Sequence, residues 1–182
     1  MDKICVFFAT GFEEIEALTV VDLLRRSQID TVMVSVTGDK NVTSSHNVTV
    51  VTDALLEEID FDEVSMIVLP GGMPGTTNLE ACTVLMEQVE KFYAEGRYIS
   101  AICAAPSILG HRGMLQGRNA CAFPDFESHL EGACVTQNAV EVSEHVITSR
   151  GMGCAIDFGL AIVAKLLGES KANELAGKII YQ

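Results

Sequence analysis

Four short unbroken apolar runs, KICVFFA from Lys3, TVMVSVT from Thr31, SMIVLP from Ser65 and YISAIC from Tyr98, constrain this chain more than any other feature. A strand covered on one face alternates apolar and polar residues, whereas a strand covered on both faces has no polar side to show and reads as a continuous run. The stretch between the first two runs, EEIEALTVVDLLRRSQ, changes period: Ala17, Val20, Val21 and Leu24 recur at helical spacing. That is a βαβ opening. The order repeats as SMIVLP, a Gly-Pro loop, a helix over roughly 83 to 95, and YISAIC. Strand-helix-strand alternation of this kind predicts parallel pairing with helices on both faces of the sheet.

The remainder is more mixed. Residues 42 to 53 (VTSSHNVTVVTD) alternate weakly and suggest a small ribbon, Asn119 to Phe123 and Cys134 to Gln137 are short candidate strands, and EVSEHVITS reads as a hairpin. GCAIDFGLAIVAKLLG is a strongly apolar helix stopped at Gly168, and ESKANELAGKII is a last helix. No repeat or linker interrupts the 182 residues, and 48% apolar content is ample for one core, so a single domain over 1–182 is expected.

A formal charge of -13, with only twelve Lys and Arg, argues against a nucleic-acid-binding surface or an anionic membrane, either of which needs a basic patch. The opening MDKICVFFATGF has an apolar run too short to span a bilayer and no secretory pattern, so a cytoplasmic location is expected. Six cysteines without a C-x-x-C spacing are then expected to be reduced, and structural zinc is not expected.

In a parallel sheet, ligands gather at the carboxyl ends of the strands. Three loops meet there: GFEE, PGGMPGTTN and CAAPS. Cys103 stands where a strand gives way to a helix, with Ala101 and Ala105 two residues to either side and Pro106 in the first helical turn. Small residues at those spacings are what a nucleophile elbow requires. A thiol at a helix N-terminus is expected to have a lowered pKa. A buried small hydrophobe is the plain alternative for any free cysteine.

Gly71 and Gly72 let backbone N–H groups approach a ligand closely, and with the N–H of Ala104 they are candidates for an oxyanion site. Pro-Gly-Gly is also an ordinary turn. Glutamates 13, 14 and 16 complement the dipole of the first helix. Glu16 falls on the flank of the apolar stripe, where desolvation would raise its pKa and let it hold a proton beside a thiolate; Glu13 also projects to that side, and periodicity does not choose between them. His111 is about 12 Å along the helix from Cys103 at 1.5 Å per residue, out of reach of the sulfur. His46, His129 and His145 lie in polar segments and are expected at the surface. SRGMG, with Arg150 and Gly151, precedes a long helix and is a candidate for closing the site from another side; a plain helix start fits it equally.

With those residues in place, the chain resembles the ThiJ/PfpI superfamily, in the branch of the parkinsonism-associated protein deglycase and its bacterial relatives. GFEEIEALTVVDLLRR, IVLPGGMPGTTNL, ISAICAAPSILG and TSRGMGCAIDFGLAIV carry the resemblance, in that order, over nearly the whole chain. It implies a flavodoxin-like α/β sandwich, a homodimer, and no cofactor or metal. It also implies Cys103 as nucleophile, Glu16 rather than Glu13 as its protonated partner and proton shuttle, and the backbone of Gly72 and Ala104 as oxyanion site. Where some relatives carry a histidine near the cysteine, this chain reads AFPDF, with Phe123, which leaves the proton traffic to Glu16. Relatives with peptidase activity tend to have His directly after the nucleophile, where this chain has Ala104.

The expected activity is addition of Cys103 to a small α-oxoaldehyde, or to its early adduct on an amine or thiol, ending in a 2-hydroxy acid. Phe123, Gly71, Arg150 and Gly151 are the candidate pocket residues. A second expectation is a protective or chaperone-like protein in which oxidant converts Cys103 to a sulfinate bonded by Glu16. An amidase reading shares the elbow but lacks a histidine partner.

Overall fold

The computed structural model describes residues 3–181, and its centre is a seven-stranded sheet in the order β10-β11-β7-β6-β1-β2-β5. The chain runs β1 (Lys3–Phe8), α1 (Glu14–Arg26), β2 (Asp30–Ser35), β3 (Asn41–Thr43), β4 (Thr49–Val51), β5 (Ala54–Leu55), β6 (Val64–Leu69), α2 (Gly75–Ala81), α3 (Thr83–Glu95) and β7 (Tyr98–Ile102). It continues with α4 (Pro106–His111), β8 (Asn119–Ala120), β9 (Cys134–Val135), β10 (Val140–Ser143), β11 (Val146–Ser149), α5 (Ala155–Leu167) and α6 (Glu169–Lys178). All sheet neighbours are parallel except β10, which turns back antiparallel on β11 as the edge.

The apolar runs explain the two-sided core. Successive side chains of β1 point to opposite faces. Cys5, Phe7 and Ala9 pack with Leu79, Leu85, Val89, Phe92, Ile108 and Leu109 from α2, α3 and α4. Ile4, Val6 and Phe8 pack with Ala17, Val20, Val21 and Leu24 of α1 and with Phe158, Ile162 and Val163 of α5. Each run is therefore apolar throughout because each face meets a helical layer. Apart from the two-residue parallel edge strand β5, the parallel strands β2, β1, β6, β7 and β11, numbered in chain order, stand as 2-1-3-4-5, which is the flavodoxin-like arrangement. Its switch point falls between β1 and β6, so the loops after those strands open a crevice there.

Several local expectations change. The Gly-Pro loop contains a helix, α2, because Pro74 sits at its N-cap and Leu79 anchors it in the core. The helix after Cys103 begins at Pro106, not at the cysteine, since Cys103 has a φ of 65° and no helix can pass through that conformation. The last helix stops at Lys178, before the two isoleucines. β8 and β9 pair as a separate two-residue parallel ribbon. His145 is half-buried rather than exposed: its ring lies 5.2 Å from that of Tyr93. Among the described residues, no helix is long and apolar enough to cross a membrane.

Candidate active site

The three loops meet at the switch point. Cys103 lies just past β7 with its backbone left-handed, a conformation that costs a non-glycine residue roughly 1–3 kcal/mol and persists only where neighbours impose it. Here they do. The Cys103 N–H donates to the Ser149 carbonyl at the end of β11 (2.9 Å), and the Phe123 N–H donates to the Cys103 carbonyl (2.9 Å). Ala104 and Ala105 are buried beside it, which is why the positions need small side chains.

Glu16 is brought in by α1. Its neighbour Glu13 is the N-cap, accepting the Glu16 N–H on Oε2 at 2.7 Å. Capping consumes Glu13, so the tie left open by periodicity is resolved by local structure. The Glu16 side chain is 1% exposed, and its Oε2 accepts the Gly71 N–H at 3.0 Å. Oε1 is buried and accepts no hydrogen bond, and both it and the Cys103 sulfur lie within 4 Å of the position a Cβ on Gly151 would take. Burial, with the Glu13 charge adding to it, pushes Glu16 up to about 7 against the pull of the thiol and the Gly71 N–H.

The thiol does not follow the expectation of a lowered pKa. Burial pushes Cys103 up to about 12, a Glu16 carboxylate raises it further, and the N–H groups of Ala104 and Gly72 pull it down. The physical reason is that α4 has only six residues and starts three positions later, so desolvation outweighs the helix field. Of the two raised groups, Glu16 is the stronger acid and is the one poised to ionise near neutral pH. The N–H groups of Gly72 and Ala104 face the same sulfur and mark where a developing negative charge would be held.

Glycine at 71 and 72 is required by contact. A Cβ on Gly72, whose φ is +90°, would lie 2.4 Å from the Glu13 nitrogen. A Cβ on Gly71 would lie 2.6 Å from both Cys103 Cβ and Glu16 Oε2, and 2.9 Å from the Ile102 carbonyl oxygen. Gly71→Ala is therefore expected to separate Glu16 from Cys103 and to cut activity about 100-fold, the effect of a misplacement near 1 Å. Steady-state kinetics beside a circular-dichroism melt checks this, because activity should fall far more than helix content.

Gly151 faces the pair from the β11 side: a Cβ there would sit 3.8 Å from Cys103 Sγ, 3.9 Å from Glu16 Oε1 and 3.5 Å from Phe123 Cδ2. Phe123 thus lies against the site. Arg150 is turned to Glu127, with its guanidinium 3.7 Å from that carboxylate. Cys154, half-buried before α5, has its thiol pushed up by burial. All six cysteines are free. Of the histidines, His111 bonds Glu80 and His129, at 2.9 and 3.0 Å, and His46 bonds Glu14 at 3.2 Å. Sequence reasoning named SRGMG but did not single out its first residue, Ser149, whose carbonyl pins the elbow; its place at the end of an apolar strand was the available signal.

A left-handed cysteine at the carboxyl edge of a flavodoxin-like sheet, facing a buried glutamate, belongs to the class of elbow-cysteine α/β proteins. Residues 2–165 match the DJ-1/PfpI family, and the chain belongs to it. It is 36% identical over 183 residues to Protein DJ-1 homolog B of Arabidopsis thaliana, covering 99% of this chain and 42% of that protein, so it spans under half of that relative's length. It is 32% identical to Glutathione-independent glyoxalase DJR-1.2 of Caenorhabditis elegans, over 90% of this chain and 87% of that one. The solved structure of oxidized Toxoplasma gondii DJ-1 superposes with a TM-score of 0.95 at 33% identity, covering 100% of this chain and 99% of that one.

Proposed function

We propose that this single-domain protein is a cofactor-independent glyoxalase or deglycase that converts small α-oxoaldehydes, or their early adducts on amines and thiols, into 2-hydroxy acids. The observation that carries the reading is the Cys103–Glu16 pair, in which a strained, pinned thiol faces a carboxyl whose pKa is pushed up to about 7. A group with that pKa gives and takes protons with little driving-force penalty at neutral pH.

The steps follow from the geometry. Cys103 sulfur adds to the aldehyde carbon as Glu16 carboxylate takes the thiol proton and returns it to the new alkoxide, giving a hemithioacetal whose oxygen faces the N–H groups of Gly72 and Ala104. Glu16, again a carboxylate, then moves the C1 proton to C2 while the hydroxyl proton passes to the second oxygen, which oxidises the first carbon to a thioester and reduces the second to an alcohol. Water cleaves the thioester, returning the thiol and releasing the 2-hydroxy acid. Methylglyoxal plus water balances lactate, with no outside oxidant or reductant. The relative named as a glutathione-independent glyoxalase supports this reading. A homodimer belongs to the reading as well: sedimentation equilibrium of the purified protein is expected to give twice the monomer mass of 19.6 kDa, and a monomer would count against it.

The test is lactate formation from methylglyoxal by purified protein with no added thiol; absence of lactate over a protein-free control would overturn it. A second reading, oxidant sensing, draws on the similar solved structure from Toxoplasma gondii, which is of the oxidized protein. Mild peroxide should then add two oxygens selectively at Cys103, read by intact mass.

A further inference from the structure

The mouth of this site is unusual for a catalyst of two- or three-carbon aldehydes. Phe123 stands 42% exposed beside it, and the residues next in sequence to two glycines of the site, Met73 and Met152, are 49% and 55% exposed. Each is tied to a group already placed at the sulfur. Met73 follows Gly72, and Met152 follows Gly151. The Phe123 N–H holds the Cys103 carbonyl, and its ring lies 3.5 Å from where a side chain on Gly151 would begin. Single exposed hydrophobics are ordinary, but several around one reactive atom mark a surface that meets an apolar partner.

Charge points the same way. No cation is among the groups that weigh most on Cys103 or Glu16, and the charged neighbour acting on Glu16 is another carboxylate, Glu13. Arg150 adjoins Gly151, but its charge is shared with Glu127 at 3.7 Å, which also accepts from Gln137 at 3.3 Å; the Arg150 Nε is buried without a hydrogen-bond partner. A carboxylate or phosphate on the substrate would feel repulsion from the acidic helix start, where Glu13 and Glu16 are both buried. An aliphatic or aromatic substituent would instead bury area against Phe123 and two flexible methionines, whose side chains adapt to varied shapes.

We propose that Phe123, with Met73 and Met152, is a specificity collar selecting α-oxoaldehydes, or carbonyl adducts, that carry an uncharged apolar substituent of four or more carbons. This rests on the enzymatic reading above and names its substrate class. The carbonyl carbon meets the sulfur, and the substituent lies outward across the Phe123 ring. A pocket of this kind discriminates by about 10- to 200-fold per methylene at most, and a half-exposed collar by less.

The experiment compares kcat/KM for 4-methyl-2-oxopentanal and methylglyoxal in the wild type, Phe123→Ala and Met152→Ser, reading the ratio of the two aldehydes so that their intrinsic reactivities cancel between variants. The wild-type ratio is expected to fall about tenfold in Phe123→Ala and about threefold in Met152→Ser. Ratios unchanged in both variants would overturn the collar. A parallel measurement needs no turnover: Cys103 alkylation by N-cyclohexylmaleimide against N-methylmaleimide, resolved by intact mass with Cys103→Ser as the blank, should show the same dependence on Phe123. Turnover of both aldehydes with no Phe123 dependence in either assay sinks the collar and spares the enzyme. A Phe123-dependent alkylation preference without turnover of either aldehyde sinks the enzyme and leaves apolar selection at this thiol supported.

Discussion

Serine in place of Cys103 is expected to leave the fold intact and to reduce lactate formation from methylglyoxal at least 1,000-fold, which is about 4 kcal/mol of transition-state stabilisation. The hydroxyl is smaller than the thiol and inherits the same left-handed backbone, the same bonds to Ser149 and Phe123, and the same two N–H groups. What changes is the proton. Glu16, at about 7, already lies well below a thiol pushed up to about 12, so proton removal from sulfur is uphill and must be coupled to attack on the carbonyl. An alkanol is weaker still as an acid, and its oxygen is a poorer nucleophile. Activity retained within tenfold would show that the sulfur does not bond to substrate. The same variant separates the oxidant reading: peroxide should no longer add two oxygens to the protein.

The sheet was legible because its strands are covered twice. KICVFFA and SMIVLP have no polar face, and that alone predicts two helical layers and parallel order. The elbow was legible from Ala101, Ala105 and Pro106, since only small residues fit around a left-handed backbone. Other features depend on tertiary placement that spacing does not encode. PGGMPGTTN has the composition of a loop, yet Leu79 reaches the core and organises α2 around itself. Glu13 and Glu16 point to the same side of α1, and only the N-cap bond to Glu13 separates their duties. The thiol pKa departs from its expected direction because the dipole of a helix can be inferred from sequence whereas the depth of a sulfur cannot; burial sets the sign. Arg150 follows the same logic: its position beside Gly151 is a sequence fact, but its direction is set by Glu127 across the loop.

Glu16→Gln is expected to make the protein less active and, at neutral to mildly alkaline pH, more stable. The folded-state pKa of Glu16 is about 7 against an ordinary 4.5, so the native state binds this proton more tightly than the unfolded chain. Its contribution to stability is fully present below about pH 4.5 and is lost as pH rises through about 7. The rise corresponds to about 3 kcal/mol at 1.36 kcal/mol per pH unit, with no discount for solvent because the side chain is 1% exposed. Glutamine keeps an oxygen for the Gly71 N–H and carries no charge into the core. Urea unfolding at pH 4 and pH 8 should therefore give a stability difference, variant minus wild type, that is about 3 kcal/mol more favourable at the higher pH. A difference independent of pH would mean that Glu16 ionises in the fold as it does in water, and the proton-shuttle role would fall with it. Loss of the base should meanwhile cost about 100- to 10,000-fold in lactate formation. Stability gained and activity lost at one buried carboxyl is the signature of a charge kept in the core for chemistry rather than for folding.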